Sequence, residues 1–434
     1  MQRSKIYIRF STILFSLLAL SIGAIIQATT PDSVEEPIQY SAKAYFPSQK
    51  EKEVFGLKKQ QLEKALNKYF KNAIASGKIV GAGVSIVKGD SLLFANGFGK
   101  RNFNKTKKVN GETVFRLGSL SKGFTGILAA KVKNEGKLDW NDKVITYIPD
   151  FELGDEANTD KVTFGTLLSH TSGTPYHSYT NLIEAGLPLS EIAKRFKDVE
   201  PISVPGEMYS YQNAMFALSS EVMLKATGDD IVTSLDEGFF KPLEMCYTNM
   251  TFEGMAAIEN VALPHSPRGK GYRTLKLRDS YYNAVAAGGI NSSASDMAKW
   301  MQFLLGKNPE IMTSSAIEEV FNPVIEIKGH QKYYQRWPGH LSSHYGYGWR
   351  IHNYLDKNNQ EKIIWHHGGS VNNYRNEIAL YPDSDLGICV LFNSNSRLSK
   401  TVIPDLHEIV ASIFERSEFE MGQGDNASLS ESTN

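Results

Sequence analysis

The segment Phe115-Arg-Leu-Gly-Ser119-Leu-Ser-Lys122 opens a stretch whose apolar residues recur at helical spacing as far as Gly136. On such a helix positions i and i+3 share a face, so Lys122 lies one turn above Ser119. A serine hydroxyl is a poor nucleophile at neutral pH and needs a neighbour that removes its proton. The unpaired N–H groups and the dipole at a helix start also favour a developing negative charge. The spacing therefore predicts a nucleophilic serine with an amine beside it.

The same four-residue spacing occurs again at Ser85-Ile-Val-Lys88. That copy lies in an alternating pattern typical of a strand, on which positions i and i+3 point to opposite faces. Because side chains on opposite faces cannot exchange a proton, we interpret this copy as structural. The spacing alone is a weak signal, and a reactive site needs further groups.

Two more short motifs could supply those groups, Tyr211-Gln-Asn213 and His367-Gly-Gly369. The pattern Tyr-x-Asn also occurs at Tyr179-Thr-Asn181 and Tyr247-Thr-Asn249. Only Tyr211 follows a chain-reversing Pro205-Gly206 and precedes a continuous apolar run, which places it on a loop that enters a packed helix. Functional side chains are often carried on such loops. We therefore select Tyr211 as a partner of the serine.

The composition limits the class of protein. The chain has 434 residues, of which 41% are hydrophobic and 22% charged, and its formal net charge is zero. This length suffices for one large domain or two fused lobes, and the absence of a Lys/Arg run argues against a nucleic-acid partner. Two cysteines, Cys246 and Cys389, form neither a disulfide framework nor a zinc motif. We expect Cys389 to be a buried strand thiol, and we expect no metal or cofactor, since no His-Glu-x-x-His pattern occurs.

The two ends of the chain differ from the rest in composition and in the pattern of apolar residues. Residues 1–28 combine three basic residues with an apolar stretch at 10–26, which predicts a signal peptide cleaved near Ala28 and export to the periplasm or the medium. The alternative is an uncleaved membrane anchor, because the apolar stretch approaches the length of a spanning helix. Residues 29–56 are interpreted as a linker and residues 419–434 as a disordered tail.

Between these ends the pattern predicts an α+β fold. Strands are expected near both ends of residues 57–418 and helices dominate the middle, so we expect one antiparallel sheet built from both chain ends and flanked by helices. The α/β lobe would comprise about 57–120 and 290–418, and an all-helical lobe of about 121–289 would be inserted between them. The expected elements are a helix at 57–76, a hairpin at 83–95, strands at 345–349, 363–365, 376–381 and 386–392, and a closing helix at 402–415.

At this point the motifs carry a family resemblance. Residues 113–151 resemble the nucleophile region of the serine β-lactamase-related family, which contains class C β-lactamases, D-alanyl-D-alanine carboxypeptidases and related esterases. Residues 167–173, 205–213 and 287–296 resemble further landmarks of that family in the same order. The resemblance covers about residues 57–418 and implies a β-lactamase/transpeptidase-like fold.

The resemblance also implies the chemistry. Ser119 would attack a carbonyl and form an acyl-enzyme, while Lys122 and Tyr211 would share the work of general base and acid, with the division between them left open. Asn213 would orient Lys122 and the substrate carbonyl. The backbone N–H groups of Ser119 and Ser370 would form the oxyanion hole.

The third motif requires a choice of register, because His366 and His367 could both head it. Placing His367 first aligns the following residues, including Gly369 and Ser370, with the family pattern without a gap. His367 would then add positive or hydrogen-bonding character beside a substrate carboxylate, and His366 would be a strand-end imidazole held by the backbone. Class C β-lactamases usually carry lysine at this position, which favours a carboxypeptidase or esterase over a β-lactamase.

The sequence thus predicts an exported serine hydrolase for a small-molecule or peptide substrate. The substrate classes that the resemblance implies are D-alanyl peptides, β-lactams and small esters or amides. The alternative is a penicillin-recognising or scaffold protein that keeps the fold without turnover. The oligomeric state is not determined by the sequence.

Overall fold

An eight-stranded sheet forms the centre of the computed structural model, which describes residues 48–415. The predicted signal peptide, most of the predicted linker and the predicted tail at 419–434 lie outside these residues. Strands from the beginning and the end of the described chain meet in this one sheet. The expectation of an α+β fold with a sheet built from both chain ends is therefore confirmed.

The strands are β1 Gly81–Lys88, β2 Ser91–Gly99, β3 Val114–Arg116, β4 His265–Arg268, β5 Gly271–Thr274, β6 Asn291–Ser293, β7 Ile325–Glu326, β8 His340–Tyr345, β9 Arg350–Leu355, β10 Glu361–Val371, β11 Tyr374–Tyr381 and β12 Leu386–Phe392. The α-helices are α1 Gln49–Ala75, α2 Ser121–Asn134, α3 Val144–Tyr147, α4 Glu156–Thr159, α5 Phe164–Leu168, α6 Thr180–Glu184, α7 Leu189–Ala193, α8 Asn213–Thr227, α9 Ile231–Leu235, α10 Phe252–Ala257, α11 Val285–Gly288, α12 Ala294–Leu304, α13 Ser314–Glu318 and α14 Val402–Phe414.

The sheet has the strand order β2-β1-β12-β11-β10-β9-β8-β7, and all neighbouring strands are antiparallel. Strands β10 and β11 pair over the range from Trp365↔Leu380 to Val371↔Tyr374. Strand β9 covers the other edge of β10 only as far as the pair His366↔Arg350. Beyond that point the edge of β10 is open, and the candidate site lies against this open edge.

Helices cover both faces of the sheet. Apolar side chains of α1 and α14, such as Phe70 and Leu406, pack with β1 and β12 on one face. On the other face α12 packs against β1 and β12 and carries Trp300, which stacks on Phe124 of α2 at 4.1 Å between ring centroids. Burial of these apolar faces supplies the main favourable term in folding. Cys389 is fully buried in β12, as expected for a strand thiol.

The first helix begins earlier than the sequence indicated. Residues 49–56, interpreted as linker, belong to α1, and this part of the linker prediction is wrong. Ser48 and Glu51 form reciprocal side-chain to backbone bonds, with Ser48 N–H donating to Glu51 Oε2 and Glu51 N–H donating to Ser48 Oγ. This capping box stabilises the helix start where apolar periodicity is absent.

The inserted segment differs from the expected all-helical lobe in one respect. It contains the hairpin β4–β5 within residues 121–289. The expected strand at 345–349 is also corrected, because β8 ends at Tyr345 and the chain turns before β9 begins at Arg350. Two glycines, Gly346 and Gly348, lie in this turn, and Gly348 has a positive φ of 83°. The copy of Ser-x-x-Lys at Ser85–Lys88 lies in β1, as expected.

Helix α2 packs directly against the turn between β8 and β9, without intervening side chains at its glycines. A Cβ at Gly126 would lie 2.0 Å from the carbonyl oxygen of Tyr347, and one at Gly123 would lie 2.6 Å from the Trp349 ring. Glycine is therefore required on this face of a helix in which alanine would otherwise be favoured.

Among residues 48–415, none of the helices has the length and apolar character to cross a bilayer.

This contact predicts opposite effects for the same substitution at two helical glycines. Gly126→Ala should lower the free energy of unfolding by about 1 to 3 kcal/mol, because a backbone carbonyl must move. Gly56→Ala in α1, where a new Cβ meets nothing within 4 Å, should raise it by up to about 1 kcal/mol. Urea denaturation followed by circular dichroism measures both. Equal stabilisation by the two variants would show that α2 does not approach the turn this closely.

Candidate active site

The nucleophile candidate Ser119 lies in a short 3₁₀ helix, Gly118–Leu120, that leads directly into α2. Gly118 has a φ of +58°, and a Cβ on it would lie 2.9 Å from backbone atoms of Ser370. Glycine is needed here both for the left-handed backbone and for the close approach. The turn therefore presents Ser119 to the open edge of β10.

Lys122 is fully buried one turn after Ser119. Its Nζ lies 3.4 Å from Ser119 Oγ and donates to Asn213 Oδ1 and to the Ala287 carbonyl, both at 2.8 Å. Burial, followed by the nearby charge of Arg350, lowers the pKa of Lys122 well below its ordinary 10.5. A neutral amine has two N–H groups, and the two carbonyl acceptors can engage both. Its lone pair is then free to accept the proton of Ser119.

Tyr211 reaches the same oxygen from the other side. Its hydroxyl donates to Ser119 Oγ at 2.9 Å. Burial raises the pKa of Tyr211 to about 12, so the group is a phenol rather than a phenolate near neutral pH. The loop is held by His170, whose Nδ1 accepts from the backbone N–H of Gln212 at 3.1 Å. The pKa directions favour Lys122 as the proton acceptor and Tyr211 as a donor.

The residues after His367 form the wall opposite the nucleophile. A Cβ on Gly369 would lie 2.1 Å from the Leu117 carbonyl oxygen, so only glycine lets β10 pass this close to the nucleophile turn. The backbone of Ser370 follows on the open edge of β10, next to Gly118. The backbone N–H groups of Ser119 and Ser370 are thus in neighbouring segments, as an oxyanion hole requires.

His367 does not lie on the cleft wall. It is fully buried, its Nδ1 donates to the Gly368 carbonyl at 2.8 Å, and its Nε2 accepts from the Tyr345 hydroxyl at 3.0 Å. Burial and the charges of Arg350 and Lys122 lower the pKa of His367 well below its ordinary value of 6.5. The expected positive charge beside a substrate carboxylate is therefore not supplied by His367.

His366 also differs from the expectation. Its ring nitrogens contact Glu377 and His352 rather than backbone groups. Both partners are buried, so the imidazole is part of a polar network beneath the cleft. Nothing in the local sequence around His366 identified these partners, because they lie on neighbouring strands.

The cleft is a cavity of about 440 Å³ that contains Ser119, Tyr211 and Asn213. Its wall also includes charged and aromatic groups that no sequence motif indicated. These are Tyr176, His177, Glu184, Tyr209, Tyr281, Lys332, Tyr333, Tyr334, Arg350 and Arg375. Tyr281 accepts a hydrogen bond from Asn213 Nδ2 at 3.3 Å, so it helps to orient the amide that holds Lys122.

Within residues 48–415, no group of three or more His, Cys, Asp or Glu side chains is arranged to hold a metal ion.

A model of the family described as Beta-lactamase matches residues 66–410. This is well over half of the 434 residues. The chain belongs to the Beta-lactamase family. Membership confirms the family resemblance and the β-lactamase/transpeptidase-like fold.

Individual relatives are distant. Protein flp of Staphylococcus aureus (strain N315) is 24% identical over 347 residues, which cover 80% of this chain and 66% of that protein. Unguisins hydrolase ungD' of Aspergillus campestris (strain IBT 28561) is 27% identical over 338 residues, which cover 74% of this chain and 59% of that protein. The chain thus spans 66% and 59% of the lengths of these two relatives.

A solved structure supports the fold independently. The octameric penicillin-binding protein homologue from Pyrococcus abyssi has a TM-score of 0.68 and 24% sequence identity with this Beta-lactamase family member. The match covers 80% of this chain and 77% of that chain. At this identity the similarity establishes the fold and leaves the substrate to be argued from the cleft.

The contacts of Lys122 predict that Asn213→Ala slows acylation about 10²-fold, since the amine loses the acceptor that directs its lone pair. The matched control is Asn181→Ala, which changes the asparagine of an unrelated Tyr-x-Asn copy on the exposed side of α6. The measurement is the rate of covalent labelling by a fluorophosphonate. A wild-type rate in Asn213→Ala would mean that Lys122 is oriented by other groups.

Proposed function

We propose that this protein is a serine hydrolase that acylates Ser119 and prefers amide substrates carrying a carboxylate on the leaving group, as the end of a D-alanyl peptide does. The observation that supports the preference is Arg350, a cation in the cleft that forms no ion pair with an acidic side chain within residues 48–415. Neutral esters would be cleaved by the same groups without this interaction. β-Lactams share the carboxylate and are a second candidate class.

Arg350 lines the cleft at the start of β9. Its Nε and Nη1 are buried and have no hydrogen-bond partner among the described residues. The guanidinium lies 4.9 Å from the ring centroid of Tyr334 and 5.9 Å from that of Tyr345. Cation–π contacts compensate only part of the desolvation of a buried charge. A substrate carboxylate would complete the site, because guanidinium and carboxylate form paired, charge-assisted hydrogen bonds.

The proposed reaction is a double displacement. Ser119 Oγ bonds to the substrate carbonyl carbon while its proton passes to Lys122 Nζ, and the N–H groups of Ser119 and Ser370 stabilise the oxyanion. Collapse breaks the bond to the leaving group, which takes a proton from Tyr211, and Lys122 returns a proton to Tyr211. Water then attacks the acyl carbon, and the same groups transfer its proton so that Ser119 is released.

We further propose that the protein is exported, which rests on residues 1–28 alone. The names of the relatives are compatible with the chemistry, since one is called a hydrolase and the structural neighbour a penicillin-binding protein homologue. A scaffold protein without turnover remains the alternative function. The complete set of contacts around Ser119 supports the enzyme.

The test is covalent labelling followed by turnover. Wild-type protein should be labelled by a fluorescent penicillin and a fluorophosphonate, and Ser119→Ala should not be labelled. Rates with nitrocefin, a D-Ala-D-Ala peptide and a short-chain p-nitrophenyl ester then rank the substrate classes. Absence of label on the wild type would support the scaffold alternative, and rapid release of penicillin would indicate a β-lactamase.

Arg350→Gln tests the carboxylate preference. The ratio of kcat/KM for the D-Ala-D-Ala peptide to that for the neutral ester should fall about 10- to 100-fold, since a hydrogen bond to a charged group contributes roughly 1.5 to 3 kcal/mol. Using the ratio cancels the effect that Arg350 has on the Lys122 pKa, which both substrates share. The control Arg268→Gln removes an exposed cation from β4. A ratio equal to that of the wild type would refute the preference.

A further inference from the structure

A chain of hydrogen-bonded side chains crosses four strands of the sheet beside the cleft. His340 Nε2 lies 2.7 Å from Ser343 Oγ, which lies 2.9 Å from His352 Nδ1. His352 Nε2 lies 3.1 Å from His366 Nδ1, and His366 Nε2 lies 2.9 Å from Glu377 Oε2. Except for His340, these side chains are buried. None of them takes part in the proposed reaction.

The carboxylate at the end of the chain determines the direction of its hydrogen bonds. An ionised Glu377 can only accept, so His366 Nε2–H donates to it and His366 Nδ1 accepts from His352. His352 Nδ1 then accepts from Ser343, whose oxygen accepts from His340. Burial lowers the pKa values of His352 and His366 well below 6.5, which agrees with two neutral imidazoles. The polar chain is thus satisfied from one end to the other, and such networks hold their members rigidly.

Glu377 connects this network to two side chains of the cleft wall. The Tyr333 hydroxyl donates to Glu377 Oε2 at 2.7 Å, and Arg375 Nη2 forms an ion pair with Glu377 Oε1 at 3.0 Å. Tyr333 and Arg375 also stack, with 5.3 Å between the guanidinium carbon and the ring centroid. A Cβ at Gly368 would lie 2.6 Å from the Tyr333 hydroxyl, so the glycine leaves room for this arrangement.

We propose that Glu377 is a positioning residue for substrate selection: it holds Tyr333 and Arg375 on the cleft wall, and its charge sets how strongly Arg350 and Arg375 attract a substrate carboxylate. This inference rests on the proposed function, since it concerns the same cleft. Glu377 itself is fully buried and acts through the two residues that it holds.

The charge of Glu377 changes within the physiological pH range. Burial raises its pKa to about 7. The titratable and charged groups that face it, directly or through His366, are Tyr333, His352, His366, Arg350, Arg375 and Cys389. Burial favours the neutral forms of the tyrosine, the thiol and both imidazoles, and the arginines stay protonated. Glu377 is therefore the group in this set whose charge changes near neutrality.

The protonation state of Glu377 sets the net positive charge of the cleft wall. Below pH about 7 Glu377 is protonated, the arginines are not compensated, and a carboxylate substrate is attracted more strongly. Above that pH the ionised carboxylate offsets part of their charge, and the attraction weakens. A neutral ester carries no charge, so its attraction to the cleft does not depend on the charge of Glu377. The preference for the anionic substrate should therefore decline as the pH rises.

The experiment compares kcat/KM for a D-Ala-D-Ala peptide with that for a neutral p-nitrophenyl ester, from about pH 5.5 to about pH 8.5. In the wild type the ratio should fall about 3- to 10-fold with a midpoint near 7. In Glu377→Gln it should stay flat. Titration of Lys122 affects both substrates and cancels in the ratio. A ratio independent of pH in the wild type, or an unchanged decline in Glu377→Gln, would overturn the proposal.

Two further variants separate charge from position. Tyr333→Phe removes the hydroxyl that Glu377 holds but keeps the carboxylate, so the ratio should drop at every pH while its pH dependence persists. Glu259→Gln removes an exposed carboxylate that pairs with Lys107, and it should match the wild type. A Tyr333→Phe profile identical to the wild type would show that Glu377 does not act through Tyr333.

Failure of this inference is distinguishable from failure of the proposed function. A wild-type protein that a fluorophosphonate does not label at Ser119 would refute the hydrolase itself. A protein that is labelled and turns over both substrates, but shows a flat ratio, would refute only the role of Glu377. Circular dichroism and labelling of Glu377→Gln confirm that the variant is folded and that its nucleophile is intact.

Discussion

The burial of the Lys122 amine beside Ser119 is the constraint on which the site depends. An ammonium group removed from water is strongly disfavoured, so the enclosed position shifts the lysine towards the neutral base that a serine nucleophile needs. The amine is enclosed by Asn213, the Ala287 carbonyl and the rings of Tyr211 and Phe216. The turn and helix that carry Ser119 and Lys122 pack at distances that only glycine permits, at Gly118, Gly369 and Gly126. The packing of α2 and the reactivity of its first turn therefore depend on the same close contacts.

Arg350 serves this site in two ways. Its charge adds to burial in lowering the pKa of Lys122. Its guanidinium lines the cleft, and the Nε and Nη1 atoms have no hydrogen-bond partner in the part of the chain that the structure describes. Glu377 is buried behind the cleft wall, and through its ion pair with Arg375 it offsets part of the positive charge in the cleft. Base strength, anion attraction and the shape of the wall are coupled, because one set of charges in a low-dielectric region acts on all three.

The predictions made from the sequence succeeded where the signal was local. The spacing of Ser119 and Lys122, the periodicity of the closing helix and the apolar run of β12 depend on residues close in the chain, and the structure has these elements. The start of α1 was missed because its first turns lack apolar periodicity. From its place in a motif, His367 was expected to add positive or hydrogen-bonding character beside a substrate carboxylate. The burial that keeps it neutral comes from segments remote in sequence.

The sequence by itself determined the α+β class, the family and the residue types at the nucleophile turn, because short-range spacing and ordered motifs carry that information. Only the tertiary structure decided which cations face the cleft, which histidines are buried, and that Glu377 meets Tyr333 and Arg375. Burial and charge proximity arise from strand pairing and loop packing between residues far apart in the chain. Burial and charge proximity set the protonation states of the buried groups and the attraction of the cleft for an anionic substrate. They act through desolvation and Coulomb interactions, which no local pattern encodes.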